Sequence, residues 1–300
     1  MCLAMLFPVS ELAAQTVSKK VPLSVYVSEQ AEYIPAIAQS AMTDKLRQVV
    51  AVNGMAATDD AGQFFITCIP NVTDKQIIGG APTKIAQKMD LTFYVADAFG
   101  QKVFGTATVP TRGVGDNENK AYISALRQVS ASQPALKKMI EESNAKIIAY
   151  YNEQGDNIIK KARTLGLAKQ YEEAFFQLSL IPEACEVPYA KALDVAAELF
   201  KKYIDDEAAA NLAKARSIWA AGQDSEAAYA AAEYLGQITP DASCYPQAVA
   251  LSKEISARVS KTIDWEQKQQ SDIVKAWRDI GVAYGNNQKS VTYSPVYLVR

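Results

Sequence analysis

The sequence predicts an α+β protein, with an α+β mixed-sheet domain over residues 17–153, an all-α helical repeat domain over 154–285 and a β-like tail over 286–300. Three observations carry this. In the first half, apolar residues alternate at strand period in several short runs, and stretches of helical spacing separate them. In the second half a tandem repeat takes over: Ala162-Arg163-Thr164-Leu165 recurs as Ala215-Arg216-Ser217-Ile218, and Gln170-Tyr171-Glu172-Glu173-Ala174 as Gln223-Asp224-Ser225-Glu226-Ala227, both at an offset of 53. Further on, Pro182 and Pro188 return as Pro240 and Pro246 at an offset of 58, so the second copy is longer near Tyr234-Leu235-Gly236. Repetition on this scale implies helical units that bury a core between neighbours and present an extended face.

Within the first domain, Val21 to Val27 alternates as a strand, with Pro22 and Ser24 suggesting an edge position. Ile34 to Val52 has helical spacing through Ile37, Ala38, Ala41, Leu46 and Val49, and Asn53-Gly54 stops it. Gln63 to Ile69 reads as a second strand and Lys75 to Ile78 as a short one. Leu91 to Ala96 pairs with Lys102 to Val109 across a turn at Asp97 to Gly100. Asp116 or Asn117 can cap a helix through Ala121, Ala125, Leu126 and Val129. A further helix runs from Pro134 to Tyr151.

These residues resemble a family of bacterial envelope domains: the amino-terminal domain of the Tol-system propeller protein, the lipoprotein activators of penicillin-binding proteins, the curli-secretion lipoprotein and the flagellar ring-associated T protein. The likeness lies in the opening strand with its long helix, the hairpin at Phe99-Gly100 before Lys102-Val103-Phe104, and Gly113-Val114-Gly115 leading into Lys120-Ala121-Tyr122 and Ala125-Leu126. It spans about 130 residues and implies an assembly, regulatory or secretion component, with no catalytic residues to carry over. Gly113-Val114-Gly115 before a helix also invites a phosphate cradle. Asp116 and Glu118 put negative charge where an anion would sit, so a glycine turn with a cap is expected instead.

Gly155 is expected to mark the boundary of the repeat domain. Each repeat then reads as three helices: Asn157 to Lys169, Tyr171 to Leu180 and Val187 to Tyr203, then Glu207 to Ala221, Asp224 to Gly236 and Tyr245 onward. Tyr171-Glu172-Glu173-Ala174 and Ser225-Glu226-Ala227-Ala228, with Pro182 and Pro240 after them, resemble the second helix of tetratricopeptide repeats, where a small Ala admits close helix approach. The period is longer than the ~34 residues of that repeat, so a third helix is expected in each unit. Phe175, Phe176, Trp219 and Tyr229 are expected to fill the helix-pair cores. Arg163, Lys169 and Arg216, read as inner positions on the first helix of each unit, are the candidate partner-binding residues, with plain solvation as the alternative.

Composition narrows the function. Lys+Arg 31 against Asp+Glu 33 gives no basic excess to draw in nucleic acid. His is absent, which excludes Ser-His-Asp and Cys-His chemistry from this polypeptide. No cofactor or metal is expected. Residues 1–16 read as a signal-peptide-like segment without its usual basic start, or as a buried terminal helix interrupted by Pro8 and Glu11. No other segment approaches the ~20 apolar residues of a membrane span. Cys185 and Cys244 occupy near-equivalent places in the two repeats and could pair or stay free. The leading expectation is an exported, non-enzymatic adaptor or scaffold of a bacterial cell-envelope assembly, periplasmic or outer-membrane-associated, that binds protein partners. A regulator of a cell-wall synthase or hydrolase is the first alternative. A carboxylate-dependent hydrolase using Asp194 and Glu198, or Asp205 and Asp206, is the second.

Overall fold

Five strands form one mixed sheet in the order β2-β1-β3-β4-β5. The computed structural model describes residues 20–27, 34–54, 57–58 and 62–262. Strand β1 (Leu23–Val25) runs parallel to β2 (Ala57–Thr58) on one side and to β3 (Phe64–Ile78) on the other. It is therefore internal, not the edge strand that Pro22 suggested: Pro22 lies just before the strand, where its missing N–H costs no ladder bond. Strands β3, β4 (Lys84–Asp97) and β5 (Lys102–Gly115) form an antiparallel meander. The short strand expected at Lys75 to Ile78 is the far end of β3, which runs on from Phe64 through Pro70 with a register shift between Val72 and Asp74. The expected helices on a mixed sheet are present.

One face of the sheet is the core of this region. Ile66, Cys68, Met89, Leu91, Phe93 and Val95 are each at most 1% exposed. Burying a side chain of that size contributes about 1.5–3 kcal/mol. Helix α1 (Ala36–Val52) contributes Ala38, Met42, Leu46, Val49 and Val50; Ala38, Leu46 and Val49 were expected, whereas Ile37 is exposed and Met42 takes the buried place beside the half-buried Ala41. Helix α2 (Glu118–Gln128) is capped by Asn117, whose side chain accepts the Lys120 N–H at 2.9 Å. Gly113 sits within β5 and not in a turn. A Cβ there would lie 1.9 Å from the Ala121 carbonyl oxygen and 2.4 Å from the Ala125 nitrogen, so its bare backbone is what lets α2 lie on the strand. A Cβ on Gly105 would meet the Ser143 hydroxyl at 2.0 Å, so α3 (Pro134–Leu167) crosses β5 in the same manner.

The helical part differs from the three-helix expectation. Helix α3 continues through Gly155, whose hydrogen faces Pro188; a Cβ would come within 2.4 Å of that ring. Close approach, not a chain break, accounts for that glycine. Two of the expected helices, Val187 to Tyr203 and Glu207 to Ala221, are one 37-residue helix, α5 (Glu186–Gly222). No Gly or Pro interrupts residues 203–207, and Asp205 and Asp206 cap nothing. Each repeat is thus a short helix followed by a long one: α4 (Tyr171–Ser179) with α5, then α6 (Ser225–Leu235) with α7, described from Tyr245 to Thr262. The long period comes from a long helix, not from an added one. Part of the extra length of the second copy lies in α6, 11 residues against 9 in α4.

The chain divides into two compact units, Met1–Thr164 with Glu172–Asp194, and Leu165–Tyr171 with Val195–Arg300. In the second unit Leu212, Ala215 and Trp219 meet Ala227, Ala231 and Leu235 of α6 and Ala248, Leu251 and Ile255 of α7 in one core. The alanines permit close packing of helix on helix. Lys169 and Gln223, with φ of 61° and 50°, end the preceding long helices in the left-handed conformation. Cys68, Cys185 and Cys244 are free thiols, so the Cys185–Cys244 pairing is absent. Burial pushes the Cys68 thiol up to about 12 and the Cys185 thiol to about 11. The β-like tail over 286–300 and the leader-like segment over 1–16 lie outside the described residues.

Candidate functional site

The β4–β5 turn is held from beneath by a buried carboxylate. Asp97 is 2% exposed, and its Oδ1 accepts the backbone N–H groups of Phe99 and Gly100, each at 2.9 Å. The Tyr151 hydroxyl donates to Oδ2, and the Gln63 side-chain amide donates to the same oxygen at 3.3 Å and to the Tyr151 hydroxyl oxygen at 2.7 Å. Burial, then the Asp97 hydrogen bond, pushes the Tyr151 phenol far above its ordinary value. Tyr151 therefore acts here as a neutral donor. Four donors on one carboxylate fix the turn.

That turn presents Phe99, 52% exposed. Its ring meets Phe176 of α4 edge-on, with centroids 5.2 Å apart, and Phe176 is itself 44% exposed. Beside them Lys102 stands 3.7 Å from the Tyr150 ring centroid, and Tyr150 contacts Phe104 at 5.8 Å. Val103 adds an exposed aliphatic side chain. The result is an aromatic ledge of Phe99, Phe176 and Tyr150 with one cation, on a preorganised turn.

Phe176 and Tyr229 were expected in the helix-pair cores, and both are instead on the surface. Ala174 and Leu178 define the buried face of α4; position 176 lies between them, about 200° from Ala174. Extending the repeat match by two residues puts Tyr229 in the same place on α6, 55% exposed, beside buried Ala227 and Ala231. Phe175 is half-buried, and Trp219 is in the core as expected. Each repeat therefore turns one aromatic outward from its short helix. The sequence signal was the offset of 53 carried past Ala174.

The basic residues singled out from sequence lie on or just beyond the long helices. Arg163 is exposed on α3. Lys169 lies beyond the end of α3 and pairs with Asp206 at 2.9 Å. Arg216, exposed on α5, donates to the Gln247 side chain at 3.3 Å. The carboxylates considered for hydrolysis have structural partners. Asp205 accepts the Ser243 N–H at 2.7 Å and its hydroxyl at 2.8 Å, which hold its carboxyl below the usual range. Asp206 accepts the Tyr171 hydroxyl at 2.6 Å and the Lys169 ammonium, and is lowered in the same way. Acids held ionised in this manner carry no proton to donate at neutral pH. Asp194 and Glu198 are exposed on α5. No group of three or more His, Cys, Asp or Glu suited to a metal occurs among the described residues.

Neither a protein-family profile nor a curated protein sequence matches the chain. Among solved structures, a minor lipoprotein from Acinetobacter baumannii is similar at 16% identity and a TM-score of 0.24, covering 43% of this chain and 92% of its own. A chain named as a lipoprotein from Caulobacter crescentus CB15 is similar at 12% identity and a TM-score of 0.21, covering 41% and 82%. Among the described residues no helix is long and apolar enough to cross a membrane.

Proposed function

We propose that this protein is an exported, non-enzymatic adaptor of a bacterial cell-envelope assembly, and that it binds a protein partner through the outward aromatics of its short helices. The observation that carries the reading is the repeated exposure of Phe176 and Tyr229 at equivalent positions. Large aromatic side chains with few rotatable bonds are the residues that most often anchor protein interfaces. Phe99 adds a second exposed aromatic ring against Phe176. Envelope location is supported by the leader-like composition of residues 1–16 and by the resemblance of the first domain. In vivo crosslinking from a photoreactive residue at position 176, followed by mass spectrometry of envelope fractions, tests the reading. One or a few envelope proteins should be enriched; crosslinks to no protein would remove its basis.

A further inference from the structure

The far end of the β3–β4 ribbon ends in an apolar tip. Residues Ile77-Ile78-Gly79-Gly80-Ala81-Pro82 are all exposed, with Ile77 at 73% and Ile78 at 43%. Among the described residues nothing lies within 4 Å of a Cβ built on Gly79, so the chain is open to its surroundings at that position. Ile77 pairs across the ribbon with Ile85 and Ile78 with Lys84, and successive residues of a strand point to opposite faces. Ile77 and Ile78 therefore point to opposite faces of the tip, Ile77 across from Ile85 and Ile78 across from Lys84.

Lysines flank the tip: Lys84 lies level with Ile78, and Lys75 and Lys88 lie behind it, each beside an acidic side chain. Residues 74–88 carry Lys75, Lys84 and Lys88 against one acid, Asp74. Lys88 pairs with Asp74 at 3.3 Å, and Lys75 pairs with Glu118 at the start of α2. Asp116, held low chiefly by Lys120, also feels Lys84. At a strand rise of about 3.3 Å, Lys75 lies roughly 7–10 Å behind the isoleucines. That spacing matches an apolar element sunk about 5–10 Å into the boundary between lipid headgroups and acyl chains, with Lys75 at the headgroup level and the longer stem of Lys84 reaching back towards it.

We propose that this hairpin tip is a membrane-surface contact that inserts Ile77 and Ile78 into a bilayer containing anionic lipid. An apolar point with side chains on both faces suits a medium that surrounds it. A protein interface of ordinary size needs ~800 Å² on one side, with aromatic or Arg anchors, and residues 76–84 offer neither anchor. The lysines complement the negative surface potential of anionic lipid. This contact does not depend on the adaptor reading.

The test uses the full chain with Ile78→Trp, and vesicles of phosphatidylcholine alone or mixed with phosphatidylglycerol. Relative to the parent chain, the added tryptophan should shift its emission to the blue with the anionic vesicles and be quenched by brominated acyl chains, and the shift should weaken in high salt. Ile77→Asp with Ile78→Asp should lower vesicle partitioning at least about tenfold, with the circular dichroism unchanged because both side chains are exposed. Emission at position 78 that ignores the vesicles overturns the proposal, whatever the rest of the chain does. So does a double variant that partitions like the parent. Loss of a co-purifying protein in the double variant, with no vesicle response, would make the tip a protein contact and overturn it as well.

Discussion

Replacing Asp97 by Ala tests the anchor beneath the aromatic ledge. Four donors converge on this carboxylate, and their fates differ. The N–H groups of Phe99 and Gly100 sit in an exposed turn and regain water, so each lost charge-assisted bond is partly offset, leaving about 1 kcal/mol for the two together. Tyr151 is 3% exposed and its hydroxyl hydrogen has no second acceptor in the network, which costs about 2 kcal/mol more. The expected loss is therefore about 3 kcal/mol. Asp97→Asn retains an acceptor oxygen and should lose about half as much. Urea denaturation followed by circular dichroism measures both, and amide exchange at Phe99 and Gly100 should speed up in parallel. A loss below about 1 kcal/mol for Asp97→Ala, or an Asn variant as damaged as the Ala variant, would refute the assignment of Asp97 as the lock.

Two further predictions follow from packing and ionisation. Gly113→Ala forces a Cβ against the Ala121 and Ala125 backbone and should cost about 3 kcal/mol or displace α2, whereas Gly79→Ala meets open space and should change stability little; thermal melts of the pair decide, and equal melting temperatures would contradict the close approach. Tyr151 and Tyr171 both have folded-state pKa values raised, Tyr171 to about 12 through its hydrogen bond to Asp206. Their phenols therefore favour the folded state while protonated: this stability is intact below about pH 10 and is lost as pH rises beyond the ordinary tyrosine value. Phenolate absorbance during alkaline titration should show two late-ionising groups, one removed by Tyr151→Phe and one by Tyr171→Phe; a single transition near pH 10 for all tyrosines would be the opposite result.

Much of the architecture was legible because it rests on periodicity. Ala38, Leu46 and Val49 on α1, the Asn117 cap, the β4–β5 hairpin and the α+β-then-α order follow from spacing that the packing then uses. What was misread involved residues with two physical roles. Pro22 bars a ladder bond only if it lies inside the strand, and one residue of offset made β1 internal. Gly155 breaks helices in isolation, yet it stays in α3 because Pro188 leaves no room for a side chain. The break expected between Tyr203 and Glu207 is absent: α5 runs through Asp205 and Asp206, whose carboxylates are bonded to Ser243, Lys169 and Tyr171. The site was half visible. Phe176 was noticed as an aromatic at helical spacing, and which way it faces depends on Ala174 and Leu178, whose burial sets the inner side of a two-turn helix. Asp97 could not be found as the turn's anchor, because Gln63 and Tyr151 reach it only through the fold.

The central claim is that the outward aromatics of the short helices recruit a protein partner. Its most direct test is affinity capture from envelope extracts with the parent chain and with Phe176→Ala, Tyr229→Ala and the double variant, quantified by mass spectrometry. Phe176 is 44% and Tyr229 55% exposed, so both truncations should leave the fold in place, with Phe176→Ala losing its edge-on contact with Phe99. Each single change should weaken capture of the same partner by about tenfold, as truncation of an interface anchor does, and the double change should abolish it. A partner retained at parental levels by the double variant would contradict the account.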